Sequence, residues 1–461
     1  MSRLFISAAH KSSGKTTVSI GLCAALRAAG HSVQAFKKGP DYIDPHWLAK
    51  ATGRDCFNLD FYTMSQAEIL DTFSRYSRTA DISLIEGNKG LYDGLDLDGS
   101  NSNAALAKLL GTPVVLVLDA RGMTRGIAPL ILGYQAFDTE INIRGVILNQ
   151  LGGSRHEAKL RNVIEHYTDV SVIGAIHKDP RFDIDERHLG LVPSHEDPAS
   201  AEKIALLSEV INEQVDLDSL LTIANTAPEL DARPAAIDPP PAKTDVRIGV
   251  VRNAATGFYY PDDLLALHHA GAALVDVDTL RDKQLPALDG LIIGGGFPET
   301  HMPELSANTS MRSSIRKAID GGLPVYAECG GLMYLARSIE WHGETHPMVG
   351  SIAGDIVMEA KPQGRGYVRL GENDSSPWPG KLKNEISAHE FHYSRFKNLD
   401  KNARFAFSVR RGTGIDGKND GYVYKNLLAC YTHQRNTASN PWAQRFVQFV
   451  RQHKLKTTDK S

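Results

Sequence analysis

Short runs of branched aliphatic residues alternate with longer segments of helical spacing along the first half of the chain. Three of the runs are Ile82 to Ile85, Val114 to Leu118 and Gly145 to Leu148. Strands that alternate with helices form a parallel sheet, because each helix returns the chain to the starting edge of the next strand. The pattern therefore predicts an α/β fold with a parallel sheet.

This pattern is interrupted between about residues 214 and 245. The segment is acidic at first and then proline-rich, ending in PAAIDPPPAKTD, which is poor material for a core and typical of a linker. Strand-like runs resume after it with RIGVV, ALVDVD, GLIIGGG and PVYAECGG. We predict two α/β domains, residues 1–213 and 246–455, joined by a linker over residues 214–245.

Length and composition agree with two globular domains. At 461 residues the chain exceeds what one core usually supports. A net charge of −3, from 51 basic and 54 acidic residues, gives no electrostatic reason to expect nucleic acid or an anionic membrane as partner. No apolar run approaches the roughly 20 residues of a membrane span. The four cysteines show neither a disulfide framework nor zinc-ligand spacing. We expect a reducing cytoplasm, and the sequence leaves a homodimer open.

The segment SAAHKSSGKTT lies between the first strand-like run and a helical pattern over residues 17–29, which is the setting of a phosphate-binding loop. Backbone N–H groups of the loop can hold phosphates, Lys15 can reach the β and γ phosphates, and Thr16 can bind magnesium. Ala9 replaces the usual first glycine, so a coincidental turn is the alternative. The predicted ATP contacts in this segment are Ser13, Gly14, Lys15, Thr16 and Thr17.

Magnesium needs further oxygen ligands, which strand ends usually supply. Glu86 closes SLIEG and is the first candidate. Asp41, in KKGPDYIDP, is the second, with a helix cap or turn as the alternative. Asn149 ends GVILNQ and could hydrogen-bond the nucleotide base from the same sheet edge, although an ordinary strand-end turn explains it nearly as well. Asp93, in GLYDG, is a further candidate.

A second group of residues predicts thiol chemistry. In PVYAECGGLMYL a strand runs into Cys329 and a helix follows, which resembles a nucleophile elbow with cysteine at its tip. His433, in LLACYTHQR, is the candidate general base. The loop GGGF supplies Gly294, Gly295 and Gly296 as candidate oxyanion contacts. A buried structural cysteine is the alternative for Cys329, and Cys430 is interpreted as a packed strand residue.

Taken together, KSSGKTT, KKGPDYIDP, LIEGNKGLYDG, GGGFPE, AECGG and YTH occur in the order seen in the cobyrinic acid a,c-diamide synthase family, which the chain resembles over nearly its whole length. The resemblance implies a dethiobiotin-synthetase-like P-loop domain followed by a class I glutamine amidotransferase domain. Glutamine would be hydrolysed at the second domain. Its ammonia would attack an acyl phosphate formed with ATP and Mg²⁺ at the first, converting the a and c acetate carboxylates of a tetrapyrrole into amides.

The resemblance also implies individual roles. Cys329 would be the glutaminase nucleophile and His433 its base, with Gly295 and Gly296 near the oxyanion. The positions that match ATP and metal contacts are Lys15, Thr16, Asp41 and Glu86, and those near the substrate carboxylate are Asp41, Tyr42, Ile43 and Asp93.

Some residues depart from the pattern of related enzymes. Amidotransferases with a full triad carry glutamate two residues after the histidine, where this chain has Arg435. The family is known for working with a Cys–His pair, so the sequence does not identify the group that orients His433. Ile43 stands where leucine is frequent, and EGNKGLYDG with QGRGYV is closer to siroheme amidases. Siroheme or sirohydrochlorin is therefore the alternative substrate.

Two other hypotheses compete. A cobyric acid synthase-like or dethiobiotin synthetase-like ligase keeps the fold but changes the substrate. Against it, dethiobiotin synthetase lacks the second domain, and GPDYIDP favours the diamide synthases. The other hypothesis is a P-loop switch protein with an inert amidotransferase-like domain. The intact Cys329 and His433 argue against it, and a glutaminase assay would decide.

Overall fold

The computed structural model describes residues 1–179, 186–187, 190–230 and 243–458, with the backbone alone for residues 186, 187, 190, 457 and 458. The chain divides into two compact units, Met1–Ala236 and Ile237–Ser461. Within the described ranges, no helix has both the length and the apolar character that crossing a membrane requires.

The first unit is built on a seven-stranded parallel sheet in the order β3-β2-β4-β1-β5-β6-β7. Its strands are β1 Ser2–Ala8, β2 Val33–Lys38, β3 Phe57–Leu59, β4 Ile82–Glu86, β5 Val114–Asp119, β6 Ile143–Leu151 and β7 Ser171–His177. A two-stranded ribbon adds β8 Glu186–Arg187 and β9 Gly190–Leu191. The helices are α1 Lys15–Ala28, α2 Ile43–Thr52, α3 Gln66–Ser77, α4 Asn103–Leu109, α5 Ile127–Phe137, α6 Ser154–Tyr167, α7 Ser200–Gln214 and α8 Leu217–Asn225.

The sheet order positions the phosphate-binding loop. Strand β1 lies in the centre, with β4 on one side and β5 on the other. Because the strands are parallel, the loops after β1, β2, β4 and β6 all leave from the carboxyl edge, where ligands bind in open α/β sheets. The sequence prediction of a parallel α/β domain is confirmed.

Helix α8 corrects the predicted start of the linker. Residues 217–225, which the sequence assigns to the linker, form a helix whose Leu220, Ile223 and Ala224 are buried in the core of the first unit. Asp216 caps this helix by accepting a hydrogen bond from the backbone N–H of Ser219 at 2.9 Å. The acidic residues here are therefore a cap and an exposed face, while the apolar ones have helical spacing. Of the predicted linker, residues 231–242 lie outside the described residues.

The second unit contains a nine-stranded sheet in the order β11-β10-β12-β13-β22-β21-β20-β17-β18 and a four-stranded sheet in the order β15-β14-β16-β19. The strands are β10 Val246–Val251, β11 Ala272–Val277, β12 Gly290–Ile293, β13 Val325–Glu328, β14 Ser338–Trp341, β15 Glu344–Pro347, β16 Asp355–Met358, β17 Gly364–Glu372, β18 Ile386–His392, β19 Ser394–Lys397, β20 Arg404–Arg411, β21 Asn419–Tyr424 and β22 Leu427–Cys430. The helices are α9 Pro261–His269, a 3-10 helix Pro298–His301, α10 Met302–Ala307, α11 Thr309–Asp320, α12 Gly330–Leu335 and α13 Trp442–Thr458.

Strands β11, β10, β12, β13 and β22 are parallel, and the remaining strands of the large sheet pair antiparallel. Strand β13 lies directly beside β22, with Glu328 opposite Cys430. The chain that leaves β13 and the chain that leaves β22 therefore emerge side by side. This neighbourhood brings the two residues predicted for thiol chemistry to one sheet edge.

Candidate active sites

The phosphate-binding loop ends at a glycine that no other residue could replace without strain. Gly14 has φ 84°, and a Cβ atom there would lie 2.1 Å from Nδ2 of Asn149. The Ser13 hydroxyl donates to the carbonyl of His10 at 2.9 Å, which closes the loop on itself. Helix α1 begins at Lys15, so its free N–H groups point toward the loop, as phosphate binding requires.

Side chains from strand β2, helix α2 and strand β4 meet beside Thr16, in the first turn of helix α1. Its hydroxyl donates to Oε1 of Glu86 at 2.7 Å and lies 3.2 Å from Oδ2 of Asp44. The ammonium of Lys37 lies 2.5 Å from the same Asp44 oxygen and 2.9 Å from Glu86 Oε1. Lys15 Nζ is 3.6 Å from Glu86 Oε1. The structure thus brings together three predicted residues, Lys15, Thr16 and Glu86, and adds Lys37 and Asp44, which the sequence analysis missed.

Burial and neighbouring charges shift the pKa values of Lys37 and Asp44 in opposite directions. Burial lowers the pKa of Lys37, but the carboxylates of Asp44 and Glu86 outweigh it and hold that pKa well above its ordinary value. Burial raises the pKa of Asp44, and Lys37 reverses the shift, so this pKa is lowered. Burial, followed by the charge of Lys37, lowers the pKa of Lys15. The second oxygen of Glu86, Oε2, is buried without a hydrogen-bond partner among the described residues.

Asp41 lies two residues before the start of helix α2. Its Oδ1 accepts hydrogen bonds from the backbone N–H groups of Ile43 at 2.9 Å and Asp44 at 3.1 Å. Its Oδ2 lies 3.8 Å from Lys37 Nζ. Burial and then the charge of Asp44 raise the pKa of Asp41 to about 7. Tyr42 is buried, and Ile43 is partly buried against the core. The capping geometry expected as the alternative for Asp41 is present, and Asp44, three residues later, reaches Thr16.

Two further predicted residues of the first unit, Asp93 and Asn149, hold loops in place. Asp93 is exposed, and its Oδ2 accepts a hydrogen bond from the N–H of Gly90 at 2.9 Å within the loop after β4. Asn149 donates from Nδ2 to the carbonyl of Ser13 at 2.9 Å, which supports the phosphate-binding loop from behind. The base contact that the sequence suggests for Asn149 stays a prediction.

The thiol site is built on a strained turn. Cys329 follows β13 directly and has φ 45° and ψ −104°, an unfavourable conformation for a residue with a side chain. The two following glycines allow a close approach of the backbone. A Cβ on Gly331 would lie 2.2 Å from the carbonyl oxygen of Ile293, and one on Gly330 would lie 2.7 Å from that of Gly296. The structure therefore has the nucleophile elbow that the sequence predicts.

His433 completes a pair with Cys329. Burial lowers its pKa, but the charge of the Cys329 thiolate, a hydrogen bond between the two side chains and the carboxylate of Glu328 raise the pKa to about 10. Nδ1 of His433 lies 3.3 Å from Oε2 of Glu328. The ring of His389 stacks on that of His433, with centroids 4.9 Å apart and planes at 16°. A thiolate facing an imidazolium is the reactive state of a cysteine nucleophile.

Arg435, at the position where a triad glutamate is usual, faces a different partner. Its guanidinium donates to Oδ2 of Asp262 at 2.6 Å and lies over the Tyr260 ring, 4.8 Å from its centroid. Cys430 is fully buried, and burial raises the pKa of its thiol well above the ordinary value. This agrees with its interpretation as a packed strand residue.

The glycine loop after β12 lies against the elbow. A Cβ atom on Gly295 would lie 2.6 Å from Cε1 of His433. A Cβ atom on Gly330 would lie 2.9 Å from the backbone nitrogen of Gly296. The N–H of Gly294 donates to the Tyr259 hydroxyl at 2.8 Å. Gly295 and Gly296 are therefore close to the base and the elbow, whereas the Gly294 N–H is engaged elsewhere. Their contact with an oxyanion stays a prediction.

Two family models match the chain, one in each unit. A model described as the CobQ/CobB/MinD/ParA nucleotide binding domain matches residues 5–192. A model described as the CobB/CobQ-like glutamine amidotransferase domain matches residues 247–441. The two-domain fold and the order of the domains predicted from the sequence are thereby confirmed.

Curated relatives match both domains together. A cobyrinate a,c-diamide synthase from Magnetococcus marinus is 44% identical over 459 residues, covering 98% of this chain and 97% of that protein. One from Methanosarcina acetivorans is 43% identical over 462 residues, covering 95% of this chain and 93% of that protein. One from Listeria monocytogenes is 39% identical over 435 residues, covering 94% and 96%. The chain belongs to the cobyrinic acid a,c-diamide synthase family, a family of glutamine-hydrolysing carbon–nitrogen ligases.

Proposed function

We propose that this protein uses ATP and glutamine to convert the a and c acetate carboxylates of a tetrapyrrole into carboxamides in a reducing cytoplasm. One observation carries the proposal. A single chain holds a phosphate-binding loop with its lysine and acidic cluster, and also a strained cysteine paired with a histidine. An amide synthase supplied by its own glutaminase needs both sites, whereas a P-loop switch protein has no use for the second.

Mg²⁺ fits the acidic cluster by the chemistry of its donors. Thr16, Glu86 and Asp44 present oxygen atoms, and the second Glu86 oxygen is buried without a hydrogen-bond partner among the described residues. Within those residues no three His, Cys, Asp or Glu side chains by themselves form a metal site, and Mg²⁺ commonly takes only one or two carboxylates together with phosphate oxygens and water. We propose that Thr16 and Glu86, with Asp44, hold the ion, which would neutralise charge on the phosphates during transfer.

The first reaction joins the substrate carboxylate to phosphate. A carboxylate oxygen attacks the γ phosphorus of ATP in line, the bond to the β–γ bridging oxygen breaks, and ADP leaves. Lys15 neutralises the growing charge on the phosphate oxygens. Ammonia then attacks the acyl carbon, phosphate leaves, and loss of a proton gives the amide. Lys37 is placed to balance Asp44 and Glu86 until the phosphates bind.

The second reaction releases ammonia. The Cys329 thiolate attacks the carboxamide carbon of glutamine, and the protonated His433 gives its proton to the departing ammonia. Water then attacks the thioester, with His433 accepting its proton, and glutamate leaves. Gly295 and Gly296 are the proposed donors to the oxyanion of both tetrahedral intermediates.

The choice of tetrapyrrole rests on the names of the relatives, which are cobyrinate a,c-diamide synthases at 38 to 44% identity. Asp41, Tyr42, Ile43 and Asp93 are the proposed contacts near the substrate carboxylate. We expect mass spectrometry to detect mono- and diamides when cobyrinate, sirohydrochlorin and siroheme are offered in parallel. Amidation of siroheme in preference to cobyrinate would select the alternative substrate, and amidation of none with glutaminase intact would refute the assignment.

The division of labour is tested with two nitrogen sources. Cys329→Ala should lose synthesis from glutamine, by roughly 10³-fold or more, and keep synthesis from added ammonium salts, because the thiol acts only in releasing ammonia. Lys15→Ala should lose synthesis from both sources and keep a Cys329 that reacts with a glutamine-mimicking electrophile. Loss of ammonium-dependent synthesis in a folded Cys329→Ala protein, or normal synthesis by Lys15→Ala, would contradict the proposal.

A further inference from the structure

Glu328, the residue immediately before the nucleophile, places a carboxylate oxygen 3.3 Å from Nδ1 of His433. We propose that Glu328 is the positioning residue of the glutaminase site, doing from the nucleophile strand what a glutamate two residues after the histidine does in amidotransferases with a full triad. The inference rests on the proposed glutaminase function. It identifies the third group of the site, which the sequence leaves unassigned.

The carboxylate of Glu328 is itself fixed by two donors. Side chains two apart on a strand share one face, so Tyr326 and Glu328 lie together, and the Tyr326 hydroxyl donates to Oε1 of Glu328. The backbone N–H of Gln434 donates to the same oxygen at 2.9 Å. Both contacts leave Oε2 directed at His433. The carboxylate therefore links the strand that ends in Cys329 to the segment that carries His433.

Three other charged or titratable groups near His433 have contacts that differ from that of Glu328. His389 stacks on the ring face, and burial, followed by the charges of His433 and Arg435, lowers its pKa well below the ordinary value, so it is a neutral neighbour. Arg435 is paired with Asp262. Cys329 is the partner on the reactive side. Glu328 contacts the His433 ring from its Nδ1 side.

A carboxylate at Nδ1 decides which ring nitrogen serves the thiol. With Glu328 ionised, the proton of a neutral imidazole stays on Nδ1, and Nε2 carries the lone pair that accepts a proton from Cys329 or from water. The carboxylate also stabilises the imidazolium that forms. In Glu328→Gln, the amide oxygen can still accept from Tyr326 and Gln434, which turns the amide N–H toward Nδ1. That N–H favours the tautomer protonated at Nε2, which cannot accept a proton from the thiol.

We expect Glu328→Gln to lower kcat for glutamine hydrolysis by roughly 10²- to 10⁴-fold, the range in which a lost triad carboxylate acts, with little change in KM. The alkaline limb of the pH profile should move to lower pH, because Glu328 is one of the charges that raise the pKa of His433 to about 10. Glu328→Asp keeps the charge and should recover at least tenfold over Glu328→Gln. Synthesis from ammonium salts should be unchanged in both variants.

A matched control is Glu372→Gln, which also neutralises a buried carboxylate of the second unit, there paired with Arg445 at 2.6 Å. It should lose stability without losing kcat or shifting the pH profile. Full kcat and an unshifted alkaline limb in Glu328→Gln would overturn the inference, as would equal loss in Glu328→Gln and Glu328→Asp, which would indicate packing alone. If the parent protein lacks glutaminase activity, or if Cys329→Ala retains it, the proposed function fails instead of the inference.

Discussion

The phosphate site of the first unit and the thiol site of the second solve opposite problems. In the first, the Lys37 ammonium contacts carboxylate oxygens of Asp44 and Glu86. The charges of these groups therefore balance one another within the protein before a nucleotide and a cation bind. In the second, Cys329 is held at φ 45° and faces a histidine that is already positioned. In the first site, ligand contacts can replace the ion pairs within the protein. In the second site, the cysteine and the histidine already face each other without a ligand.

This difference agrees with what each site is proposed to bind. Phosphates bring several negative charges, so a site that binds them contains charged side chains. While the site is empty, these side chains must pair so that their charges cancel. A glutamine side chain is neutral, so the thiol site needs an activated nucleophile and little compensating charge. The two sites should therefore respond differently to substitution. Steric changes should damage the thiol site most, and changes of charge should damage the phosphate site most.

The largest effect is expected where backbone passes closest to the elbow. A methyl group on Gly331 would meet the Ile293 carbonyl at 2.2 Å, so Gly331→Ala should displace the turn that holds Cys329. We expect glutaminase activity to fall at least 100-fold and the second unit to lose about 3 kcal/mol of stability. Steady-state glutamine hydrolysis and chemical denaturation measure the two effects, and ammonium-dependent synthesis should remain.

Gly343→Ala separates strain from collision. Gly343 has φ 81° in the turn between β14 and β15, and a methyl group added there would meet no other atom of the described residues within 4 Å. This substitution costs backbone strain alone, about 1 kcal/mol, and should leave glutamine hydrolysis unchanged. Equal loss of activity in both variants would mean that the site is sensitive to general stability and not to the close approach at the elbow.

Charge should dominate at the phosphate site. Lys37→Met removes an ammonium that is 2% exposed between Asp44 and Glu86, and leaving the largely buried Asp44 carboxylate without this ion-pair partner costs about 3 kcal/mol. Lys38→Met is the matched control. Lys38 is equally buried, and burial lowers its pKa to about 8, but its closest contact is the Asn101 carbonyl at 2.6 Å. Its loss should cost about 1 kcal/mol.

The destabilisation expected for Lys37→Met should depend on pH in a definite direction. Lys37 has a raised pKa, so its contribution is fully present between pH 5 and 8, and the lowered pKa of Asp44 means that its stabilisation is present above its unfolded value. In Lys37→Met, burial raises the pKa of Asp44, and protonation at low pH relieves the unpaired charge. The difference in unfolding free energy between parent and variant should therefore grow from pH 5 to pH 8. A difference that is constant with pH would refute the charge argument.

The fold could be predicted from the sequence because buried positions repeat at regular intervals along strands and helices. Apolar runs marked the parallel strands, and Gly14 and Gly331 stand where backbone geometry permits little else. The linker was placed too early because the cap residue Asp216 and the exposed Asp218 make the start of α8 acidic. Its buried Leu220 and Ile223 carried the helical spacing that would have revealed it.

The sites were predicted in part for the same reason. Lys15, Thr16, Cys329 and His433 belong to motifs of fixed local spacing. Lys37 and Asp44 were missed because a lysine at a strand end and an acid in the first turn of a helix have ordinary local explanations. Glu328 was missed because its role depends on the pairing of β13 with β22, which local sequence does not report. Contacts between distant segments are what periodicity and motifs leave undetermined.

The smallest effect concerns Asn149, where two interpretations make different predictions. If its amide supports the phosphate-binding loop through the Ser13 carbonyl, Asn149→Ala loses one net hydrogen bond of about 1 kcal/mol, which raises the KM for ATP by about fivefold. Inorganic tripolyphosphate, which has no base, should then lose inhibitory potency by the same factor. If Asn149 instead contacts the base, ATP binding weakens and tripolyphosphate inhibition does not change. Asn149→Asp should weaken both ligands further, because a carboxylate cannot donate to Ser13 and adds negative charge beside the phosphates. Glutamine hydrolysis measured without ATP is the control, and it should be the same in all three proteins.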